Sequence, residues 1–165
     1  MPSCPRIRPA RPEDAKIIWT LIRELAEYEQ LLHIFEATEQ QLAAGLFGPD
    51  ACAESLIAEL DGQPVGCAIF LRNLSTFSGR PGLYVEDLYV RPAFRGRGIG
   101  KSLLAEIARI ALDRNYARLE WAALDWNAPA IRFYKKIGSK LRDEWRLFRL
   151  SGAALEEFAR CSPNN

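Results

Sequence analysis

The stretch Arg91-Pro-Ala-Phe-Arg-Gly-Arg-Gly-Ile-Gly-Lys101 contains four cations and three alternating glycines. It follows the run from Leu83 to Val90, which is rich in Leu, Val and Tyr and is typical of a strand. Beyond it, apolar residues recur at helical spacing over 100–114. Glycine lets a backbone approach a ligand closely, and a helix N-terminus presents N–H groups without helical acceptors. The strand, the glycine-rich turn and the helix together predict a binding site for a phosphate group.

Spacing separates three phosphate-binding motifs at this turn. The dinucleotide fingerprint GxGxxG, counted from Gly96, requires a third glycine where Lys101 stands. The P-loop pattern GxxxxGK[ST] ends correctly at Gly100-Lys101-Ser102, but its first glycine would fall on Arg95. The pattern [QR]xxGxG fits residues 95–100 without adjustment. We therefore exclude both nucleotide motifs and retain the third pattern.

The rest of the chain alternates strand and helix signals. Strands are predicted over 6–8, 54–60, 64–71, 83–90, 119–124 and 145–150, and helices over 12–28, 38–47, 100–114 and 129–137, with a last short helix capped by Ser151. Asp61-Gly62 favours a tight hairpin, Thr38 and Gln41 form a capping box, and 73–82 is predicted as a loop. This order favours an α/β (α+β) fold with a mixed, mostly antiparallel sheet flanked by helices on both faces.

Composition restricts the classes of protein. A chain of 165 residues with 48% hydrophobic residues suits one domain spanning 1–165. Its net charge of +1 predicts no binding to nucleic acid or to an anionic membrane. No apolar run approaches the roughly 20 residues of a membrane span, and residues 1–10 lack the features of a secretory signal, so a cytoplasmic location is predicted. Four scattered cysteines and one histidine, His33, predict neither a disulfide framework nor a metal site.

A second informative block runs from Leu124 to Gly138 and includes Leu-Asp-Trp-Asn127-Ala-Pro-Ala. Asn127 is a good N-cap for the predicted helix. Tyr134 lies seven residues later, about two helical turns, so the two side chains share one helix face. The pair Phe133-Tyr134 on its own would be typical of core packing. Alongside the glycine turn, we interpret the block as part of a site.

The glycine turn and this second block resemble the GNAT superfamily of acetyl-CoA-dependent N-acetyltransferases. Within the superfamily, the chain more closely resembles the spermidine/spermine (diamine) acetyltransferases, and particularly their thialysine N-epsilon-acetylating relatives. The segments that carry this closer resemblance are 21–29, 84–90, 95–100, 124–127 and 144–148. The resemblance implies a GNAT acyl-CoA N-acyltransferase fold, direct acetyl transfer from acetyl-CoA to a small cationic amine, and no metal.

The resemblance also implies roles for individual residues. Those expected to bind the coenzyme are Leu88, Tyr89, Val90, Arg95, Gly96, Arg97, Gly98, Ile99, Gly100, Lys101, Asn127, Pro129, Ala130 and Tyr134. Those expected to bind the amine are Tyr28, Glu29, Glu86, Asp87, Asp143 and Glu144. Tyr134 is the expected general acid, and Glu86 is the expected catalytic carboxylate, acting directly or through water. Because strand side chains alternate, Glu86 and Asp87 can line one pocket only if the strand is irregular.

The resemblance further implies a homodimer whose sites draw acidic residues from both subunits. Trp121, Trp145 and Phe148 are candidates for that interface, although burial in the core is the more ordinary use of such side chains. Phe77, where the diamine enzymes carry Trp, and a shortened loop over 139–144 are departures that bear on the length of the amine accepted. Two alternatives stay open at this point: a non-catalytic acyl-CoA sensor, and an acetyltransferase acting on protein amines.

Overall fold

The computed structural model describes residues 4–161. The strands are β1 (Arg6–Pro9), β2 (Glu54–Leu60), β3 (Gln63–Ser75), β4 (Arg80–Val90) and β5 (Leu119–Trp121). The helices are α1 (Ala15–Tyr28), α2 (Glu39–Phe47), α3 (Ile99–Asp113), α4 (Ala128–Lys136) and α5 (Gly152–Arg160). Short 3-10 turns cover Pro12–Asp14, Leu32–Ile34 and Pro92–Phe94. None of the helices in this part of the chain is long and apolar enough to cross a membrane.

The strands form one sheet in the order β1-β2-β3-β4-β5. Strands β1 to β4 pair with one another in antiparallel fashion, and β5 pairs with β4 in parallel. The sequence prediction of a mixed, mostly antiparallel sheet is confirmed. The β2–β3 hairpin turns at Asp61 and Gly62, both with positive φ, as the Asp-Gly pair predicts. The capping box of Thr38 and Gln41 begins α2, as predicted.

Helices cover both faces of the sheet. On one face, Ile18, Leu21 and Leu25 of α1 form a cluster with Ile57 of β2 and Cys67 of β3. The opposite face is also buried, because residues of alternate position such as Leu56, Ala68 and Phe70 are shielded from solvent. The second long helix, α3, contacts β1 to β4 through its own buried residues, which are absent from the α1 cluster. The predicted arrangement of helices on both faces is therefore confirmed.

A glycine allows β3 and β4 to approach closely at the end of β4, where Leu88 to Val90 are expected to bind the coenzyme. Gly66 pairs with Val90. A Cβ at Gly66 would lie 2.5 Å from the carbonyl oxygen of Tyr89 and 3.2 Å from Cα of Val90. No ordinary side chain fits such distances without moving the β4 backbone. The last residues of β4 can therefore lie this close to β3 only because Gly66 has no side chain.

The chain forms two compact units, with the boundary between Leu124 and Asp125. The N-terminal unit holds the five strands and α1 to α3, and the C-terminal unit holds α4 and α5. The single domain over 1–165 stays a prediction. In the C-terminal unit, α4 begins at the N-cap Asn127, as predicted, and Gly138 follows the helix with a φ of 91°.

The structure corrects two predicted boundaries in the sheet. The loop predicted over 73–82 is shorter, because β3 continues to Ser75 and β4 begins at Arg80. Backbone pairing carries the ladder through polar residues such as Asn73, which faces Gly82. The strand predicted over 119–124 ends at Trp121, since its pairing with β4 stops there.

The predicted closing strand over 145–150 is wrong for the described chain. These residues form neither helix nor strand, and they pair with no strand within 4–161. Alternating apolar residues make a strand only where a neighbour accepts their backbone hydrogen bonds. Burial of Trp145 and Phe148 in the core is also not found, because they are 64% and 91% exposed, whereas Trp121 is half-buried. The helix after Ser151 is confirmed, but the Ser151 side chain makes no capping hydrogen bond.

Candidate active site

The glycine turn joins the end of β4 to the start of α3. Gly96 and Gly98 have φ values of 77° and 79°, in the left-handed region that L side chains rarely adopt. Nothing lies within 4 Å of a Cβ built on either residue, so space is open above the backbone. Gly98 is the N-cap of α3, and the N–H groups of the next three residues have no carbonyl acceptor within the helix. This combination of open space and converging donors fits an anion such as a diphosphate.

Charged side chains accompany the turn. Arg97 and Lys101 are exposed on it. The Arg95 side chain instead lies over the ring of Tyr28, with its guanidinium carbon 4.3 Å from the ring centroid, and its Nε donates to the carbonyl of Val90 at 2.8 Å. The predicted contact of Arg95 with the coenzyme stays a prediction, and the arginine has partners within the chain itself.

The end of β4 also presents an open edge. The strand pairs with β5 only from Leu83 to Val85. From Glu86 to Val90 no other strand lies on that side within residues 4–161, while the opposite side pairs with β3. The backbone of Leu88, Tyr89 and Val90 thus borders an edge that leads into the glycine turn.

A β-bulge lies at the two predicted carboxylates of β4. Ile69 pairs with Asp87 and Phe70 pairs with Val85, so Glu86 is an extra residue on β4. A bulge interrupts the strict alternation of side chains and increases the local twist. The irregularity that the sequence required for Glu86 and Asp87 to serve one site is therefore present.

At this bulge the carboxylates of Glu86 and Glu29 both act electrostatically on Asp87, and we call Glu29, Glu86 and Asp87 the acidic cluster. Burial, followed by the negative charges of Glu86 and Glu29, raises the pKa of Asp87 to about 7. Burial also raises the pKa of Glu29, at the C-cap of α1. Glu86 is exposed, and Asp87 is half-buried. The cluster combines negative charge with one carboxyl group that can exchange a proton near neutral pH.

The C-terminal unit contains the other predicted residues. The Asn127 side chain accepts a hydrogen bond from the amide of Ala130 at 3.3 Å, and Pro129 lies in the same first turn of α4. Tyr134 is half-buried further along α4, with its ring centroid 5.3 Å from that of Phe133. The helix therefore forms as the sequence predicts, with Asn127 and Tyr134 two turns apart.

Asp143 and Glu144 lie in an exposed segment of this unit without regular secondary structure. A hydrogen bond from its own backbone amide and one from Arg142 lower the pKa of Glu144. The distance from Arg142 Nε to Glu144 Oε1 is 2.6 Å. The contact of Asp143 and Glu144 with the amine stays a prediction. Among the described residues, no group of His, Cys, Asp and Glu side chains is arranged to hold a metal ion.

One pair of interactions at the site was not anticipated from the sequence. Glu24 of α1 accepts hydrogen bonds from Arg91, with a shortest distance of 2.8 Å. Four residues later, Tyr28 lies under Arg95. The i,i+4 spacing of Glu24 and Tyr28 was a visible signal. Nothing in the sequence identified the two arginines as their partners.

Comparison with known proteins places this geometry in a family. The model of the Acetyltransferase (GNAT) family matches residues 18–138. The chain belongs to the GNAT acetyltransferase family. Members of this family use acetyl-CoA, which agrees with the phosphate-binding geometry of the turn.

Individual relatives narrow the resemblance. The chain is 39% identical to a thialysine N-epsilon-acetyltransferase of Bos taurus, over 93% of this chain and 96% of that protein. It is 31% identical to an L-ornithine N5-acetyltransferase of Arabidopsis thaliana, over 92% and 86% of the two chains. Among solved structures, an integron cassette protein of V. cholerae superposes with a TM-score of 0.80 at 28% identity, over 94% of this chain and 98% of that one. The N-acetyltransferase class and the GNAT fold predicted from the sequence are confirmed.

The raised pKa of Asp87 predicts a pH dependence. Because Asp87 ionises near pH 7 in the free protein, kcat/KM for a cationic amine should rise as the pH increases through about 7. Asp87→Asn should remove this rise and lower the plateau, whereas Asp113→Asn, the same change on the exposed surface of α3, should preserve both. Steady-state rates at fixed ionic strength between pH 5.5 and about 9 measure the profile. A rise of unchanged midpoint in Asp87→Asn would exclude Asp87 as its source.

Unfolding provides an independent check of the same group. An unfolded Asp has a pKa near 3.9, so between about 4 and 7 the folded state binds more protons at Asp87 than the unfolded state does. Its contribution to stability therefore falls as the pH rises through this window. In Asp87→Asn the unfolding midpoint should decline less between pH 5 and about 7.5 than in the parent protein.

Proposed function

We propose that this protein transfers the acetyl group of acetyl-CoA to the primary amine of a small cationic molecule: a diamine, a polyamine, or a lysine-like amino acid such as thialysine. The acidic cluster carries the proposal. An alkyl amine resembles the lysine side chain, with a pKa near 10.4, and is a cation at neutral pH. Glu86 and Glu29 lie within electrostatic range of Asp87, so the cluster attracts such a cation, and its binding favours the ionised form of Asp87.

The residues of the turn fit the coenzyme. Amides in the first turn of α3, with Arg97 and Lys101 beside them, would hold the diphosphate, and the open edge from Leu88 to Val90 would receive the arm that ends in the thioester. When bound, the coenzyme supplies an acetyl group on a sulfur leaving group. Asn127, Pro129 and Ala130 complete the predicted contacts from the start of α4.

The carboxylates hold the amine and then remove its proton. Glu86, exposed at the bulge, binds the ammonium group and takes up its proton directly or through a water molecule. Asp87 adds to the negative charge beside Glu86. Because its pKa is about 7, Asp87 can also hold the proton at neutral pH. Tyr28 and Glu29 border the same site from the end of α1. The neutral amine can then form its bond to the acetyl carbon while the carbon–sulfur bond breaks, and the nitrogen loses its second proton to solvent as the amide forms.

Direct attack by the amine is favoured over a route through an acetylated cysteine at the sheet. Cys67 of β3, which pairs with Tyr89, is fully buried. Burial raises the pKa of its thiol, so the nucleophilic thiolate is disfavoured. The acetyl group passes in one step to the amine in this proposal.

Tyr134 donates its phenolic proton to the departing thiolate. Since a free thiol has a pKa near 8.5 and tyrosine one near 10, the transfer needs the thiolate to form beside the phenol. Tyr134→Phe should lower kcat about 100-fold, as the loss of a general acid does, with a much smaller change in KM for acetyl-CoA. Tyr116→Phe, the same change at a ring beside Arg72, is the matched control and should keep its activity. Unchanged kcat in Tyr134→Phe would remove Tyr134 from the reaction.

An amine panel tests the substrate class. Thiol release from acetyl-CoA is measured with thialysine, ornithine, lysine, putrescine, spermidine and a short peptide with a free N-terminus. We expect kcat/KM to be greatest for one of the small amines, because the acidic cluster favours a compact cation. Preference for the peptide would instead indicate a protein acetyltransferase. Coenzyme binding with no turnover on any amine would indicate a sensor.

We further propose that residues 1–165 form one acetyltransferase domain, since the family match over 18–138 runs from the N-terminal unit into the C-terminal unit. The homodimer and the cytoplasmic location that the family resemblance implies stay predictions.

A further inference from the structure

Two arginines at either end of residues 91–95 are both held by α1. The Arg91 guanidinium donates to both carboxylate oxygens of Glu24 and to the carbonyl of Pro64. The Arg95 guanidinium lies over Tyr28. Glu24 and Tyr28 are four residues apart and therefore share one face of the helix. The last two turns of α1 thus hold both ends of the segment that leads into the glycine turn.

The contacts of Arg95 are made within the chain. Its guanidinium carbon is 4.3 Å from the Tyr28 centroid and 5.7 Å from the Tyr89 centroid. Its Nε donates to the carbonyl of Val90, the last residue of β4. These contacts connect α1, β4 and the turn through one side chain. An arginine whose role was only to bind a phosphate would not need a partner on α1.

Arg97, two residues further on, has a different environment. Its ring contact is with Phe94, in the 3-10 turn just before the glycines, at 5.6 Å. It therefore has the same charge in the same turn, and its ring contact stays within the turn. The two arginines form a matched pair for separating a direct effect on the coenzyme from an effect transmitted through α1.

We propose that Arg95 is a positioning residue that couples the coenzyme turn to the amine site through Tyr28. The proposal rests on the proposed function, because it assigns the coenzyme to the turn and the amine to the end of α1. Tyr28 precedes Glu29 of the acidic cluster, so the stacked pair fixes the glycine turn relative to a carboxylate of the amine site. Coenzyme affinity then depends on Tyr28, and amine affinity depends on Arg95.

A double-mutant cycle on coenzyme A binding tests this coupling. Calorimetry with coenzyme A is run on the full chain and on Tyr28→Leu, Arg95→Ala and the double variant. Each single variant should raise Kd about tenfold, and the double variant should also stay near tenfold, because either change breaks the same contact. In the control cycle of Tyr28→Leu with Arg97→Ala the effects should multiply, to about 100-fold if each change costs about tenfold.

Conservative variants and a second readout separate positioning from a general loss of structure. Tyr28→Phe keeps the ring under Arg95 and should retain the affinity of the parent protein for coenzyme A. Arg95→Ala should raise KM for the amine as well as for acetyl-CoA, whereas Arg97→Ala should raise KM for acetyl-CoA alone. If Tyr28→Leu does not fold, Tyr28→Met, which also removes the ring, takes its place in the cycle.

The outcomes distinguish this inference from the proposed function. Multiplying effects of Tyr28→Leu and Arg95→Ala, in a parent protein that binds coenzyme A, would overturn the coupling and leave the proposed function intact. An unchanged amine KM in Arg95→Ala would also overturn it. If the parent protein bound no coenzyme A, both the proposed function and the coupling would be overturned.

Discussion

The left-handed conformation of Gly96 and Gly98 is the constraint on which the site depends. Only with these two residues in that conformation does the chain leave β4 and begin α3 with its first-turn amides beside open space. An L side chain at either position would be strained by its φ, whatever the space around it. The sheet supplies the fixed end of this turn, because Gly66 of β3 allows β4 to approach closely at Tyr89 and Val90.

Charge is arranged along β4 so that opposite ligand charges are separated. The bulge at Glu86 concentrates negative charge upstream, where burial and like charges hold the pKa of Asp87 near neutrality. Past Val90 the chain becomes basic, with Arg97 and Lys101 exposed. In the proposed function, a cationic amine and an anionic coenzyme are thus attracted to different ends of one short segment. A net charge of only +1 for the whole chain is compatible with this, because the selectivity is local.

Local signals in the sequence predicted much of this structure. The Asp61-Gly62 hairpin, the N-cap at Asn127 and the glycine turn each follow from the conformational needs of a few adjacent residues, and each is confirmed. Features that need a distant partner were not predictable in the same way. The closing strand over 145–150 is wrong, because alternation within a short run does not show whether its residues pair with another strand. Arg91 contacts Glu24 and Arg95 contacts Tyr28, and each pair is 67 residues apart in the sequence, so local spacing does not show either contact. The bulge at Glu86 was anticipated only as a condition, since it depends on the register of β3.

In the proposed function, main-chain donors between β4 and α3 hold the diphosphate of the coenzyme. Amide chemical shifts of the 15N-labelled full chain, followed by NMR during titration with coenzyme A, test it most directly. We expect the largest shifts at residues 96–101 and along the open edge at 88–90, with the amides of β1 and β2 almost unchanged. Saturable binding that leaves the amides of 96–101 unmoved would contradict it.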